Sequence, residues 1–186
     1  VMSHQLQMLH GTPYLDDKEY VKKYAYETRY RLVPLDYGKY DGTYVFDYEK
    51  IAIATNTFSF KDYINARKFL FTIGICSNSN SFLPLKKYLV SNNFKKSNWI
   101  KYIYENLDKF DVSIKNVFKS FVDETKTELW NSEQDLINHY SKEANYKKLL
   151  KGDAGGNVLF RHKIMVLNGY LETLVNDIFK LTNSFM

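Results

Sequence analysis

The sequence predicts a mainly α-helical protein, in which a helical C-terminal domain of six to seven helices, 58–186, follows a short strand- and turn-rich segment, 1–57. Two observations predict this division. After Thr57, apolar residues recur at three- and four-residue spacing, which is typical of amphipathic helices. Before Thr57, apolar and polar residues alternate in short runs bounded by Gly, Pro or Asp, which is typical of strands and turns. The front segment has too few strands for a core of its own, so we expect it to pack against something else.

The front segment divides into short elements. Residues 1–13 alternate in part and end at Gly-Thr-Pro, which predicts one strand and a turn. Asp16 or Asp17 is a good N-cap for a short helix, and Lys22 and Lys23 suit the last turn of that helix. The remaining predictions are an extended run over 27–34, a turn over 36–42, and one or two short strands over 44–57.

The helical segment begins with a capping pattern. Ser59 is a good N-cap and Asp62 lies three residues further on, so the first predicted helix runs from this cap to about residue 77. Gly152 ends a later helix, and the pair Gly155-Gly156 precedes a long, mostly apolar last helix. The further helices are predicted over 83–92, 98–108, 112–130, 132–140, 143–151 and 158–181.

The charge balance says little about partners. The 186 residues carry a net charge of +5, with a pI near 9.0. Lys greatly outnumbers Arg, and Asn, Tyr and Phe are frequent, which is the pattern of an AT-rich coding sequence. The basic pI is therefore no evidence for nucleic acid, which we disfavour as a partner, and the excess charge is best explained as a solvated surface.

The single cysteine, Cys76, excludes several classes of site. One thiol cannot form an intramolecular disulfide, a zinc site of four cysteines or of two cysteines and two histidines, or a complete cysteine-ligated iron–sulfur cluster. No window approaches 18 uninterrupted apolar residues, and the first residues lack the features of a signal peptide. We therefore expect a cytoplasmic chain with no membrane partner.

The common catalytic motifs for phosphate binding, dinucleotide binding and serine hydrolysis are not present in the sequence. The pair Gly155-Gly156 stands before a helix and could hold an anion, although a simple turn is the favoured interpretation. His139 and Glu143 have i, i+4 spacing, which suits a metal but arises often by chance. Cys76 lies near the end of an apolar helix, which favours a packing role over a reactive one.

Several segments resemble one family. The run 4–13 reads HQLQMLHGTP and resembles a late barrel strand and exit loop of cobalamin-binding-type radical S-adenosylmethionine proteins, with His10 where Pro is expected. The segment 51–63 reads IAIATNTFSFKDY and resembles the junction between a hydrophobic strand and a helix in the same family. Further similar runs are EY and KY within 19–24, TRYRLVP at 28–34, YGKYDG at 37–42, YSK at 140–142, NY at 145–146, LLKG at 149–152 and GGN at 155–157.

The resemblance implies that this chain is the C-terminal portion of such an enzyme, and a start at Val1 agrees with that expectation. The family's cluster loop, Cys-x3-Cys-x2-Cys, and its cobalamin-binding region are not in this sequence. No catalytic residue or metal ligand is therefore carried over, this chain itself holds no cofactor, and we expect no turnover from it alone. The resemblance implies S-adenosylmethionine, an iron–sulfur cluster and cobalamin only for the parent enzyme, whose N-terminal barrel and cobalamin-binding domains would be the partners.

Barrel geometry gives three candidate residues. Side chains near the C-terminal end of a barrel strand often line the active site, so Gln5, Gln7 and His10 are the candidates for facing a cofactor or substrate. Their alternative role is strand packing or contact with a lid.

Two rival interpretations stay open. The chain could be a helical interaction module that binds a protein or single-stranded nucleic acid through 14–48, where many tyrosines alternate with lysines. Ordinary aromatic packing explains the same tyrosines. The chain could also be a stand-alone enzyme whose carboxylates or histidines come together on folding.

Overall fold

The computed structural model describes residues 5–78 and 80–186. These residues form ten α-helices and one two-stranded antiparallel sheet, so the predicted mainly helical class is confirmed. The elements in chain order are α1 (Pro13–Asp16), α2 (Lys18–Tyr24), β1 (Glu27–Tyr40), β2 (Thr43–Ala54), α3 (Phe60–Cys76), α4 (Leu83–Ser91), α5 (Lys96–Glu105), α6 (Val112–Thr127), α7 (Glu133–Tyr140), α8 (Glu143–Lys151), α9 (Val158–Gly169) and α10 (Leu171–Phe185).

The described chain divides into two compact units. The sheet unit comprises 5–64 and 124–157, and the helical unit comprises 65–123 and 158–186. This division differs from the sequence-based boundary at residue 57, because α7 and α8 share a hydrophobic core with the front segment. The residues of that core are Leu32, Phe46, Leu136, Tyr140, Tyr146 and Leu149.

The hairpin of β1 and β2 turns at Asp41 and Gly42. Both residues have positive φ, 48° and 83°, which is the two-residue turn that Asp-Gly favours. The predicted turn over 36–42 is therefore too long, since β1 continues to Tyr40. The turn-like residues at its start form an irregularity in β1 instead, where the register shifts between Leu32 and Tyr37.

Each edge of the hairpin gains one more bridge. The segment of Leu6, Gln7 and Met8 runs antiparallel to β2, with Met8 N–H donating to Lys50 O at 2.8 Å and Ala52 N–H donating to Leu6 O at 2.9 Å. The predicted strand at the chain start is thus a single bridge, and it does have a neighbour. Residues 1–4 of that prediction, His4 among them, lie outside the described residues.

At the other edge, Tyr30 and Trp130 exchange both backbone hydrogen bonds, at 2.9 and 2.8 Å. This bridge joins β1 to the loop between α6 and α7. The hairpin is further tied to α8 by Tyr37, whose hydroxyl donates to Leu149 O at 2.8 Å. Backbone and side-chain bonds between distant segments therefore hold the sheet against its helices.

The helical unit has a large aromatic and aliphatic core. Phe71, Trp99 and Phe121 are fully buried in it. Two hydrogen bonds join helices and loops within this unit. Trp99 Nε1 donates to Thr182 Oγ1 at 2.9 Å, and the Asp111 N–H donates to Asp177 Oδ2 at 2.7 Å. A core of this kind is the expected product of helices with apolar stripes.

The sequence predicts one continuous last helix over 158–181, but the structure has two helices in this range. The predicted helix is interrupted at Tyr170, which has φ −138° and ψ 23° and divides α9 from α10. Gly169 ends α9, and glycine is a poor helix former because ordering it costs more backbone entropy than other residues. None of the described helices combines the length and apolar character needed to cross a membrane.

Candidate functional site

Gln5 and Gln7 are two residues apart in the extended N-terminal segment, so their side chains lie on the same face of it. Gln7 Nε2 donates to Glu49 Oε2 on β2. Gln5 Nε2 donates to the hydroxyl of Tyr63 near the start of α3. Both amides are therefore held by side chains of the same unit.

Gln7 joins a compact cluster of charged side chains. Arg31 lies directly opposite Glu49 in the hairpin, and its Nε donates to Glu49 Oε1 at 2.5 Å. Glu128 approaches the same guanidinium at 3.6 Å. The three charged side chains are each less than one-fifth exposed, so solvent screens these pairs less than ordinary surface pairs. The arrangement fixes the position of the Gln7 amide.

The carbonyl oxygen of the Gln5 amide is buried and finds no hydrogen-bond partner among the described residues. A buried amide oxygen without a partner costs free energy, which is recovered when a donor is supplied. The Gln5 amide oxygen therefore has an unused capacity to accept a hydrogen bond.

His10 has different neighbours from those of the Gln5 and Gln7 amides. It stands on the turn that leads to α1, with 93% of its side chain exposed and its Nδ1 3.5 Å from Asp16 Oδ1. The structure therefore places Gln5 and Gln7 in contacts with α3 and β2, whereas His10 pairs with Asp16, the last residue of α1.

Four tyrosines cluster around α1 and α2. The ring of Tyr20 lies 5.7 Å from Tyr14, 4.6 Å from Tyr24 and 6.5 Å from Tyr26 between centroids. None of the described residues of α1 and α2 is fully buried. Partial burial and these neighbours raise the pKa of the Tyr20 phenol. The tyrosines thus pack on one another at the surface.

The cysteine and histidine candidates from the sequence are packed against neighbouring groups of the protein. Burial raises the pKa of the Cys76 thiol well above its usual range. His162 is buried, with Nδ1 2.8 Å from Val158 O and Nε2 3.2 Å from Ser120 Oγ. The ring of His139 lies 4.7 Å from that of Trp130, and burial together with Lys142 and Lys148 lowers its pKa.

Gly155 also has a packing role. Its φ is +66°, and a Cβ at this position would lie 2.5 Å from Leu149 Cδ2 and 2.8 Å from Leu32 Cδ2. The turn before α9 therefore closes over the core of the sheet unit.

The residues do not fit an iron–sulfur cluster. Three thiolates are needed by the family's cluster loop, whereas this sequence has one cysteine, Cys76, which is fully buried. Within 5–78 and 80–186, His, Cys, Asp and Glu form no group of three or more that could hold a metal ion.

The sequence did not indicate the cluster of Arg31, Glu49 and Glu128. The pairing of Arg31 with Glu49 follows once the register of the hairpin is known, because they are direct cross-strand partners. Glu128 directly follows the last residue of α6, and no pattern in the sequence indicated that it lies near Arg31.

Comparison with known proteins adds no relative. No family model matches the sequence, and no curated protein or solved structure is similar enough to count as a match.

Proposed function

We propose that this chain is the C-terminal part of a cobalamin-dependent radical S-adenosylmethionine enzyme, in which its helices shape or close the mouth of the barrel. The observation that carries the proposal is the extended run before the Gly11-Thr12-Pro13 turn, whose sequence resembles a late barrel strand of that family. The other similar runs, from TRYRLVP to GGN, support the same assignment.

The pairing of this run supports the proposal. Among residues 5–78 and 80–186, its strand-type backbone bonds all go to β2. The N–H and C=O of Gln7 point away from β2, because the two bonds of the bridge belong to Leu6 and Met8. An edge of this kind is a template for one more strand. In the proposed parent enzyme, the preceding barrel strand occupies it.

The side chains of the run acquire roles in this arrangement. Gln5 and Gln7 are positioned by Tyr63 and Glu49 close to the C-terminal end of the strand, where barrel enzymes place their site residues. The unpartnered Gln5 oxygen would accept a hydrogen bond from a substrate, a cofactor or a neighbouring barrel residue.

Reconstitution tests the proposal. The 186-residue chain, treated with iron, sulfide, a reductant and S-adenosylmethionine, is expected to give no 5′-deoxyadenosine, because it lacks the three thiolates that hold the cluster. The protein encoded by the longer reading frame, treated in the same way, is expected to give it. Turnover by the short chain, or a longer protein that cannot bind a cluster, would contradict the proposal.

A second candidate is an interaction module, favoured by the half-exposed tyrosines of α1 and α2. The basic residues that we take as its candidate contacts are Lys22, Lys23, Arg29 and Arg31. Arg29 pairs with Glu27 at 2.9 Å and Arg31 pairs with Glu49, so Lys22 and Lys23 are the residues of this set chosen for the test. Salt-dependent binding of single-stranded oligonucleotides that falls in K22Q/K23Q would support it. Failure to bind at low salt excludes the nucleic-acid form.

A further inference from the structure

One long segment of the chain carries positive charge alone. Between Asp62 and Glu105 the sequence contains no Asp or Glu. The same stretch has one strongly basic group of lysines around α4 and the start of α5, namely Lys86, Lys87, Lys95 and Lys96. A surface with this composition attracts anions, because no carboxylate of the same segment neutralises it.

Three of these lysines line one groove of the helical unit. The groove has a volume of about 410 Å³ and is bounded by the end of α3, by α4 and by the first residue of α5. Lys86 reaches across it and donates to Ser77 O at 2.6 Å. The full lining consists of Ser77, Leu83, Lys86, Lys87, Val90, Ser91 and Lys96.

The electrostatics of the groove favour a bound anion. Lys96 is the first residue of α5, where the helix dipole is positive, and the first turn of α5 contains no acidic residue. Within the described chain, no side chain caps the start of this helix. Burial, followed by the charge of Lys96, lowers the pKa of Lys86. Like charges are thus crowded together, and an anion among them would relieve their repulsion.

The lining also indicates the kind of anion. The hydroxyl of Ser77 and three ammonium groups can surround a phosphate with hydrogen-bond donors, whereas the Ser91 hydroxyl already donates to Tyr88 O at 2.9 Å. Leu83 and Val90 give the groove an apolar side, which suits the organic part of a phosphate ester. We propose that the groove between α4 and the start of α5 binds a small phosphate-bearing molecule.

A second groove in the same unit provides a matched control. It has a volume of about 320 Å³ and is also lined by three lysines, Lys68, Lys115 and Lys119. It differs because Asp108 is part of its wall. A carboxylate there repels an anion and offsets the charge of the lysines.

Calorimetric titration with inorganic pyrophosphate and phenyl phosphate, at constant low ionic strength, tests the proposal. The full chain is expected to bind both probes, and the variant K86Q/K87Q/K96Q to bind about tenfold more weakly, because it loses three charged donors. The control variant K68Q/K115Q/K119Q has the same net charge as K86Q/K87Q/K96Q. We expect this control variant to bind the probes as tightly as the unmodified chain does. Amide NMR signals of Lys96 and Ser97 should shift on titration.

Two controls separate binding from folding and from general charge effects. Lys86 contacts Ser77, so the double variant K87Q/K96Q keeps that contact and must still weaken binding. Circular dichroism checks that each variant is folded. No binding at millimolar probe, equal losses in the two triple variants, or unchanged signals of Lys96 and Ser97 would each overturn the proposal. None of these results depends on the assignment to a radical enzyme.

Discussion

Gln7 and Arg31 bind the two oxygens of one carboxylate, that of Glu49. The amide of Gln7 donates to Oε2, and the guanidinium of Arg31 donates to Oε1 at 2.5 Å. The extended N-terminal segment is therefore attached to the hairpin by a side-chain link as well as by its two backbone bonds to β2. Glu49 thus provides a side-chain part of this attachment.

Replacing Glu49 should loosen the N-terminal segment. In Glu49→Gln the guanidinium of Arg31 loses its closest counter-charge in a largely buried setting, so we expect the free energy of unfolding to fall by about 1–3 kcal/mol. Urea denaturation followed by circular dichroism measures this change. Hydrogen exchange at the amides of Met8 and Ala52 should also become faster, since these amides form the bridge.

The matched control is Glu105→Gln. Glu105 pairs with Lys101 at 3.7 Å, with both side chains more than half exposed. Exposed pairs of this kind contribute only about 0–1 kcal/mol. Equal effects of the two substitutions would show that the Glu49 cluster contributes no more than a surface pair.

Replacing Gly155 by alanine should destabilise the fold, whereas replacing its neighbour Gly156 by alanine should have little effect. Gly155→Ala places a Cβ at positive φ against Leu149 and Leu32, so we expect a loss of about 1–3 kcal/mol in the free energy of unfolding. Gly156→Ala adds a Cβ with no heavy atom within 4 Å and without positive φ. Urea denaturation of both variants should rank them in this order, and the reverse order would refute the packing of this turn.

Cys76 should resist thiol reagents in the folded protein. It is fully buried and its thiol pKa is raised by burial, so both access and thiolate are limited. We expect an aromatic disulfide reagent at pH 8 to react at least about a hundredfold more slowly with the native chain than with the chain in denaturant. A fast stoichiometric reaction of the native chain would contradict the buried position.

His162 should make stability depend on pH. Burial lowers its pKa below the usual value of 6.5, so the unfolded chain binds more protons than the folded chain between the two values. The stabilising effect is complete above 6.5 and is lost as the pH falls from there to the folded pKa. Urea denaturation at several pH values should show this loss, and His162→Gln should reduce it, whereas His10→Gln, at an exposed site, should leave it unchanged.

Local signals were predictable from sequence. Ser59 and Asp62 bond to each other as a cap should, with Asp62 N–H donating to Ser59 Oγ at 3.2 Å and Ser59 N–H to Asp62 Oδ2 at 2.9 Å. Asp17 likewise caps α2 by accepting from Glu19 and Tyr20. Such contacts lie within one turn, so residue types at fixed spacing determine them.

Long-range relationships were not predictable in the same way. The bridge between Tyr30 and Trp130 joins residues that no local pattern connects, and it depends on the fold as a whole. The interruption between α9 and α10 was missed because the apolar spacing continues through Gly169. In the candidate site, Gln7 was identified from a resemblance, but its partner Glu49 required the register of the hairpin.

The central claim is that this chain belongs to a longer radical enzyme, and the DNA sequence upstream of the Val1 codon tests it most directly. We predict that the reading frame continues upstream and encodes Cys-x3-Cys-x2-Cys within a few hundred residues, preceded by a cobalamin-binding region. A stop codon and a ribosome-binding site immediately before the Met2 codon would contradict the claim and would favour the interaction module instead.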